Sequence, residues 1–191
     1  MIPPYATNTS EWEEWQQEYR FGVLLIFPPE PVLTQVNMLR AVYDPRSHAT
    51  CDAHISLTIP LPRPMREVLW NELLQLTADI PPFSIQYGPL RDYLPHPGVC
   101  LTIEPQAMLG DLVHLLESAS VFAGARPRRY PFSAHMTIAE FISADQTVRL
   151  IDELAEVAPR GSFLCGGLAY VVPNAQFRFA ERRELSFGRN R

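Results

Sequence analysis

Two histidines stand in matched surroundings, Ala53-His54-Ile55-Ser56-Leu57 and Ala134-His135-Met136-Thr137-Ile138. Each is followed two places on by a hydroxyl residue and flanked by apolar side chains. Side chains alternate faces along a strand, so on strands His54 and Ser56 share one face, as do His135 and Thr137. Ile55, Leu57, Met136 and Ile138 then point the other way, toward a core. Two imidazoles and two hydroxyls around one point suit phosphodiester chemistry. A neutral imidazole takes a proton from an attacking water, and an imidazolium gives one to the leaving oxygen. Histidine's ordinary pKa of about 6.5 makes both forms available near neutrality. The hydroxyls donate hydrogen bonds to the non-bridging oxygens, where negative charge builds in the transition state. A strained five-membered cyclic phosphate already places its leaving oxygen, so positioning and proton transfer suffice, and the chemistry calls for no metal.

Serine and threonine together are about one residue in eight, so five histidines should give roughly 0.6 chance matches to His-X-Ser/Thr. This chain has three, because His48-Ala49-Thr50 also fits. That match lies in a polar segment, no apolar strand follows it, and the second half has no counterpart; it reads as coincidence. His48, Cys51 and His54 raise a metal site. However, a continuous strand would turn Cys51 and His54 to opposite faces, and no second ligand cluster is near in sequence. No metal or cofactor is expected. Arg126, Arg128, Arg129 and Tyr130 precede the second motif. Arg129 and Tyr130 are candidate contacts to a substrate phosphate or base, against the alternative of a solvated loop. There is no Gly-rich phosphate loop, no GxSxG and no HExxH.

The elements that position these residues follow from periodicity. Ser10-Glu11-Trp12-Glu13 reads as a capping box opening a short helix, with Trp12, Trp15 and Tyr19 on one face. Phe21 to Phe27 reads as a buried strand, and Val32, Val36, Leu39 and Tyr43 as a helix ended by Asp44-Pro45. Ala53 to Leu61 alternates as a strand, and Met65, Leu69, Leu73 and Leu76 mark the next helix. Phe83 to Tyr87 and Leu90 to Leu94 read as strands around a Gly88-Pro89 turn. The order then restarts. Gly98 to Ile103 is a strand, Met108 to Leu116 a core helix, and Ala134 to Phe141 a strand. Ser143-Ala144-Asp145-Gln146 is a second capping box, for a helix lined by Val148, Ile151, Leu154 and Ala155. Two strands close the chain, near Ser162 to Val172 and Phe177 to Phe187. Gly22-Val23-Leu24-Leu25-Ile26 heads the first half and Gly98-Val99-Cys100-Leu101-Thr102-Ile103 the second, so the plan repeats. This predicts an α+β protein of two related lobes, each an antiparallel sheet backed by helices, with the site in the cleft between them. The organisation is a helical arm over 1-20 and one bilobal domain over 21-191. Its lobes are roughly 21-97 and 98-191, with the terminal strands free to cross. Prolines at Pro28-Pro29, Pro60 to Pro64, Pro81-Pro82 and Pro95-Pro97 punctuate these segments.

With its two motifs, His54-Ile55-Ser56-Leu57 and His135-Met136-Thr137-Ile138, the chain resembles the 2H phosphoesterase superfamily, which includes the 2′-5′ RNA ligase-like proteins and the cyclic phosphodiesterases. That family carries one His-X-Ser/Thr-hydrophobic motif in each lobe of a duplicated fold, and the element order matches from about residue 21 to 188. The resemblance implies metal-independent hydrolysis of a 2′,3′-cyclic phosphate, or of a related cyclic nucleotide or ADP-ribose phosphate, usually leaving a 2′-phosphate. It implies His54 and His135 as the catalytic pair, Ser56 and Thr137 as phosphate-binding residues, His135 as base and His54 as acid. The residues by themselves leave that last assignment open. Two positions depart from the pattern. Many RNA ligase-like members have Arg three residues after the second motif's Thr, where this chain has Glu140. The first motif runs on as Thr58-Ile59-Pro60-Leu61-Pro62 and not as Phe-Leu-Gly.

The chain has 191 residues, 47% hydrophobic and 19% charged, with a formal net charge of −5. That is the balance of a globular domain, and its acidic surface argues against wrapping long nucleic acid. The expected partner is a small cyclic phosphate, a nucleotide or a short RNA end. Cys51, Cys100 and Cys165 are odd in number and widely spaced, which reads as buried thiols in a reducing compartment. The N-terminus has no basic and apolar leader pattern, and no run reaches a membrane span, so a cytoplasmic protein is expected. Oligomeric state is open. Three other readings stand beside the enzyme: a nucleotide- or RNA-binding module without turnover, an enzyme that degrades a cyclic oligonucleotide, and a partner-binding protein using Trp12 and Trp15.

Overall fold

The computed structural model describes residues 1–94 and 96–188. Pro95 of the proline group, and the end of the second lobe at 189–191, lie outside the described residues. Eight strands run through the chain: β1 (Val23–Ile26), β2 (Ile55–Ser56), β3 (Phe83–Asp92), β4 (Val99–Glu104), β5 (His135–Ala139), β6 (Gly161–Cys165), β7 (Gly167–Val172) and β8 (Glu181–Ser186). Five α-helices accompany them: α1 (Val32–Tyr43), α2 (Pro45–Thr50), α3 (Glu67–Thr77), α4 (Gln106–Glu117) and α5 (Ala144–Leu154). The fold is α+β, but there are not two sheets. All eight strands form one curled antiparallel sheet, in the order β6-β3-β4-β5-β2-β1-β7-β8. The two central strands carry the two motifs and pair directly, Ile55 opposite Met136. An edge-to-edge join buries the backbone groups that two separate sheets would leave unpaired.

Each half of the sheet borrows strands across the chain. β3 lies beside β4 and β6, whereas β7 lies beside β1 and β8 beside β7. Between β6 and β7 the chain passes from one edge of the sheet to the other half at Gly166. The stretch expected as one strand, 162–172, is therefore two. Conversely, 83–92 is one strand with a register shift between Tyr87 and Leu90 where two were expected.

The apolar faces predicted for α3 and α4 are largely buried, but that of α5 is shifted: Thr147, Leu150 and Leu154 face inward and Val148 is exposed. Leu69, Trp70 and Leu73 of α3, and Leu109, Leu112, Val113 and Leu116 of α4, join Ile55, Leu57, Met136 and Ile138 in one core. Each such side chain contributes about 1.5–3 kcal/mol when fully buried. Met108 proves exposed; the buried face of α4 starts at Leu109. Gln146 closes the second capping box on Ser143, as expected. The first box is displaced. The arm holds a 3-10 helix, Glu14–Phe21, whose start is closed by Glu13 and Gln16 and not by Ser10. Asp44 ends α1 but also opens α2, its Oδ1 accepting from the Ser47 N–H at 3.0 Å. At the junction of arm and β1, Gly22 has φ +83, and a Cβ there would lie 2.3 Å from the Val171 carbonyl oxygen. Only glycine lets the chain pass so close. The three cysteines are buried free thiols. Among the described residues no helix is long and apolar enough to cross a membrane.

Candidate active site

The Ile55–Met136 pair fixes the site. In an antiparallel ladder the residues on either side of a pair face each other. His54 therefore lies across from Thr137, and Ser56 across from His135. All four point to the face opposite Ile55 and Met136, which are fully buried. Diagonal positions in such a ladder are about 7–8 Å apart. The two imidazoles thus flank a space the size of a phosphate group, with a hydroxyl beside each. His54, Ser56, His135 and Thr137 all line one cleft of about 390 Å³.

Both rings are held the same way. His54 Nδ1 lies 2.7 Å from the Asp52 carbonyl oxygen, and His135 Nδ1 lies 2.8 Å from that of Ser133. A carbonyl only accepts, so each Nδ1 carries the hydrogen and each Nε2 presents a lone pair when the ring is neutral. An aromatic ring packs against each: Phe27 at 6.2 Å from His54, Tyr93 at 4.8 Å from His135.

Their electrostatics differ. Burial pushes the His54 pKa down to about 4, and the positive charge of Arg40 adds to this. Burial also lowers His135, but the Ser133 carbonyl and the Glu140 carboxylate act in the opposite sense. Arg40 is 2% exposed and donates to the carbonyls of Thr137 and Cys51, each at 2.9 Å. It ties β5 to the segment that leads into His54. Burial also lowers the pKa of its own guanidinium. Cys51, Glu140, Asp44 and Asp52 act against this from nearby. Asp44 is itself held as a carboxylate. Burial raises its pKa, but the N–H groups of Ser47, Glu140 and Phe141 outweigh that and hold it low. Glu140 Oε1 in turn accepts from the Ser47 hydroxyl at 2.7 Å.

Arg40, Asp44 and Ser47 were not singled out from the sequence. A signal existed for Arg40, because Val32, Val36 and Arg40 fall at i, i+4 spacing on the buried face of α1. For Asp44 the signal was Asp-Pro, read only as a helix stop, although Asp before Pro is also a helix start.

The strand expected over 53–61 is short. Only Ile55 and Ser56 are laddered, because the N–H groups of both Leu57 and Thr58 turn to the Leu24 carbonyl. The segment 51–54 is irregular, so Cys51 and His54 line the same cleft and do not face apart. Among the described residues no group of three or more His, Cys, Asp or Glu is placed to hold a metal ion. His48 and Thr50 lie on α2, where the Thr50 hydroxyl donates to the Arg46 carbonyl.

Arg129 and Tyr130 do not join the quartet. They line a separate groove along α4, with the Arg129 guanidinium 5.4 Å from the Tyr130 ring centre. Arg128 is tied to the Leu57 carbonyl and to Glu117, which pins the loop to the body and turns its neighbours away from the cleft.

This fold and motif pair define a class of protein, and the comparisons agree with it. Residues 28–176 match the 2′-5′ RNA ligase superfamily, and the chain belongs to it. The two-histidine resemblance read from the sequence holds at the level of family. No curated protein matches the sequence. Among solved structures the chain is similar to a phosphoesterase, with TM-score 0.55 at 19% identity over 86% of this chain and 97% of that one. It is similar to LigT of E. coli complexed with 3′-AMP, with TM-score 0.53 at 18% identity over 86% and 93%. It is also similar to TT0787 of Thermus thermophilus, with TM-score 0.53 at 17% identity over 85% and 96%. These likenesses establish the fold.

Proposed function

We propose that this protein is a metal-independent phosphodiesterase that opens a small 2′,3′-cyclic phosphate or related cyclic nucleotide by two-histidine acid–base catalysis. One observation supports the reading: His54, Ser56, His135 and Thr137, flanking the Ile55–Met136 pair, line one cleft, and both Nδ1 atoms are already engaged. The phosphate sits between the imidazoles, its non-bridging oxygens accepting from Ser56 and Thr137. One Nε2 takes a proton from water as the new P–O bond forms. The other, protonated, donates to the sugar oxygen as its bond to phosphorus breaks. The product is an open phosphomonoester with a free hydroxyl.

The unequal surroundings favour an assignment of roles. Arg40 opposes charge on His54 and Glu140 supports it on His135, so of the two rings His135 is the better placed to carry a proton. His54 is then the base and His135 the acid, the reverse of what the family resemblance implies. A bound phosphate anion draws both pKa values upward, since opposite charge favours the imidazolium. That the LigT structure similar in fold holds 3′-AMP supports a nucleotide as the substrate. The net charge of −5 supports a small one over a long polynucleotide.

The test is hydrolysis of 2′,3′-cyclic nucleoside monophosphates in excess EDTA, with His54→Ala and His135→Ala beside the wild type. Turnover that both substitutions abolish in folded protein is the expected result. Activity restored only by added metal would sink the mechanism, and nucleotide binding without turnover would make the protein a sensor.

A further inference from the structure

The cleft is lined by two unlike groups. One is the quartet; the other is an aromatic cluster, Trp15 and Tyr19 of the arm with Phe177 and Phe179 of the loop between β7 and β8. The arm and these two phenylalanines lie outside the segment that matches the family, residues 28–176. We propose that this cluster is the seat for the aromatic base of the substrate, with Trp15 as its platform; the proposal rests on the nucleotide reading above.

Trp15 is 43% exposed although it stands among aromatic neighbours. Its indole is nevertheless fixed. Nε1 donates to Glu13 Oε2 at 2.8 Å, and the ring makes edge contacts with Phe177 at 5.3 Å and Tyr19 at 6.2 Å. Glu13 also pairs with Arg46, whose guanidinium lies 4.1 Å from the Phe141 ring centre. A continuous series of contacts thus runs from the arm to the residue just past β5.

The arm is anchored, not hinged. Trp12 is buried with its Nε1 on the Ala175 carbonyl at 2.9 Å, and the Tyr5 hydroxyl accepts from the Met65 N–H at 2.7 Å. Phe177, which touches Trp12, Trp15, Tyr19 and Phe179, has φ +56. A bulky side chain there is strained and persists only where its surroundings hold it. The loop does so, since Asn174 Oδ1 accepts from the N–H groups of Gln176 and Arg178.

A rigid, half-open indole is a stacking surface that loses little freedom on binding. Every nucleobase has a π face to offer it, whereas a sugar phosphate has none. Gln16 and Glu140 line the same cleft and offer hydrogen-bonding groups to a base edge. At about 390 Å³ the space suits a mononucleotide-sized molecule.

The experiment compares a 2′,3′-cyclic nucleoside monophosphate with the 2′,3′-cyclic phosphate of 1-O-methylribose, which lacks the base. In the wild type the base-bearing substrate should have the higher kcat/KM, and Trp15→Ala should cut that preference roughly 10- to 100-fold, mainly through KM, as loss of one stacked base predicts. Trp15→Phe should restore most of it. An unchanged preference in Trp15→Ala would overturn the proposal. If neither compound turns over, the enzymatic reading fails but this one is still tested by fluorescence. Of the three tryptophans, Trp15 should be quenched by 3′-AMP and not by ribose 5-phosphate, and the quench should vanish in Trp15→Phe. Equal quenching by both ligands, or none, would overturn it.

Discussion

The protein builds one histidine setting twice and then makes the two copies unequal. In both halves Nδ1 is bound to the carbonyl two residues earlier, the imidazole lines the cleft, and an aromatic ring lies at its edge. The geometry is nearly interchangeable. The charge is not, because buried Arg40 opposes a proton on His54 while Glu140 supports one on His135. The lesson is that pairing two strands makes a matched pair of imidazoles, and the side chains behind them make the two unequal. Coupled groups of this kind titrate as a pair, so the division shows in the order of protonation.

The comparison breaks outright if one histidine is dispensable. Removing either should lower turnover by about 10²–10⁴-fold, the range for a single general acid or base. The double variant should be little worse than the poorer single one, because residues acting as a unit are not additive. Steady-state rates on a cyclic nucleotide check both statements.

Arg40→Met tests the device that separates the halves. It leaves the Thr137 and Cys51 carbonyls without their donor, at about 1–3 kcal/mol for each buried acceptor. Urea unfolding should show the loss. In whatever protein stays folded, His54 should titrate higher than in the wild type, since the opposing charge is gone.

Acid should destabilise the fold through His54. Its folded pKa is about 4, below the ordinary 6.5, so the unfolded chain binds its proton first. The stability tied to neutral His54 is complete above about pH 6.5 and is lost as pH falls toward 4. Urea midpoints across that window should drop in the wild type and drop less in His54→Gln; equal slopes would refute a half-buried neutral His54. Glu140→Gln gives the smallest effect. It removes support for charge on His135, so that histidine's NMR titration should move slightly downward.

The four residues that line the cleft together were legible in the sequence because strand alternation is a strict rule. From His54-Ile55-Ser56 and His135-Met136-Thr137 alone, four polar groups had to share faces. That the two motif strands pair with each other was not legible, since register is a long-range property and nothing local in Ile55 or Met136 names its partner. The same holds for β3, whose sequence fits either half. Arg129 and Tyr130 are near His135 in sequence but line the groove along α4, because Arg128 anchors that loop on Leu57 and Glu117. The arm's aromatic residues were noticed, but their meeting with Phe177 depends on a turn built by Asn174, far along the chain.

The exchange of strands between the halves has a consequence for how the molecule comes apart. β3 is made early and sits beside strands made later, while β7 and β8, made last, complete the sheet beside β1. A break in the chain near Gly98 would yield two fragments, each lacking strands held by the other. Neither should fold by itself, and mixed together they should reassemble. The intact chain should unfold in a single cooperative transition, and fold slowly for its size, because its central ladders must wait for residues far apart along the chain.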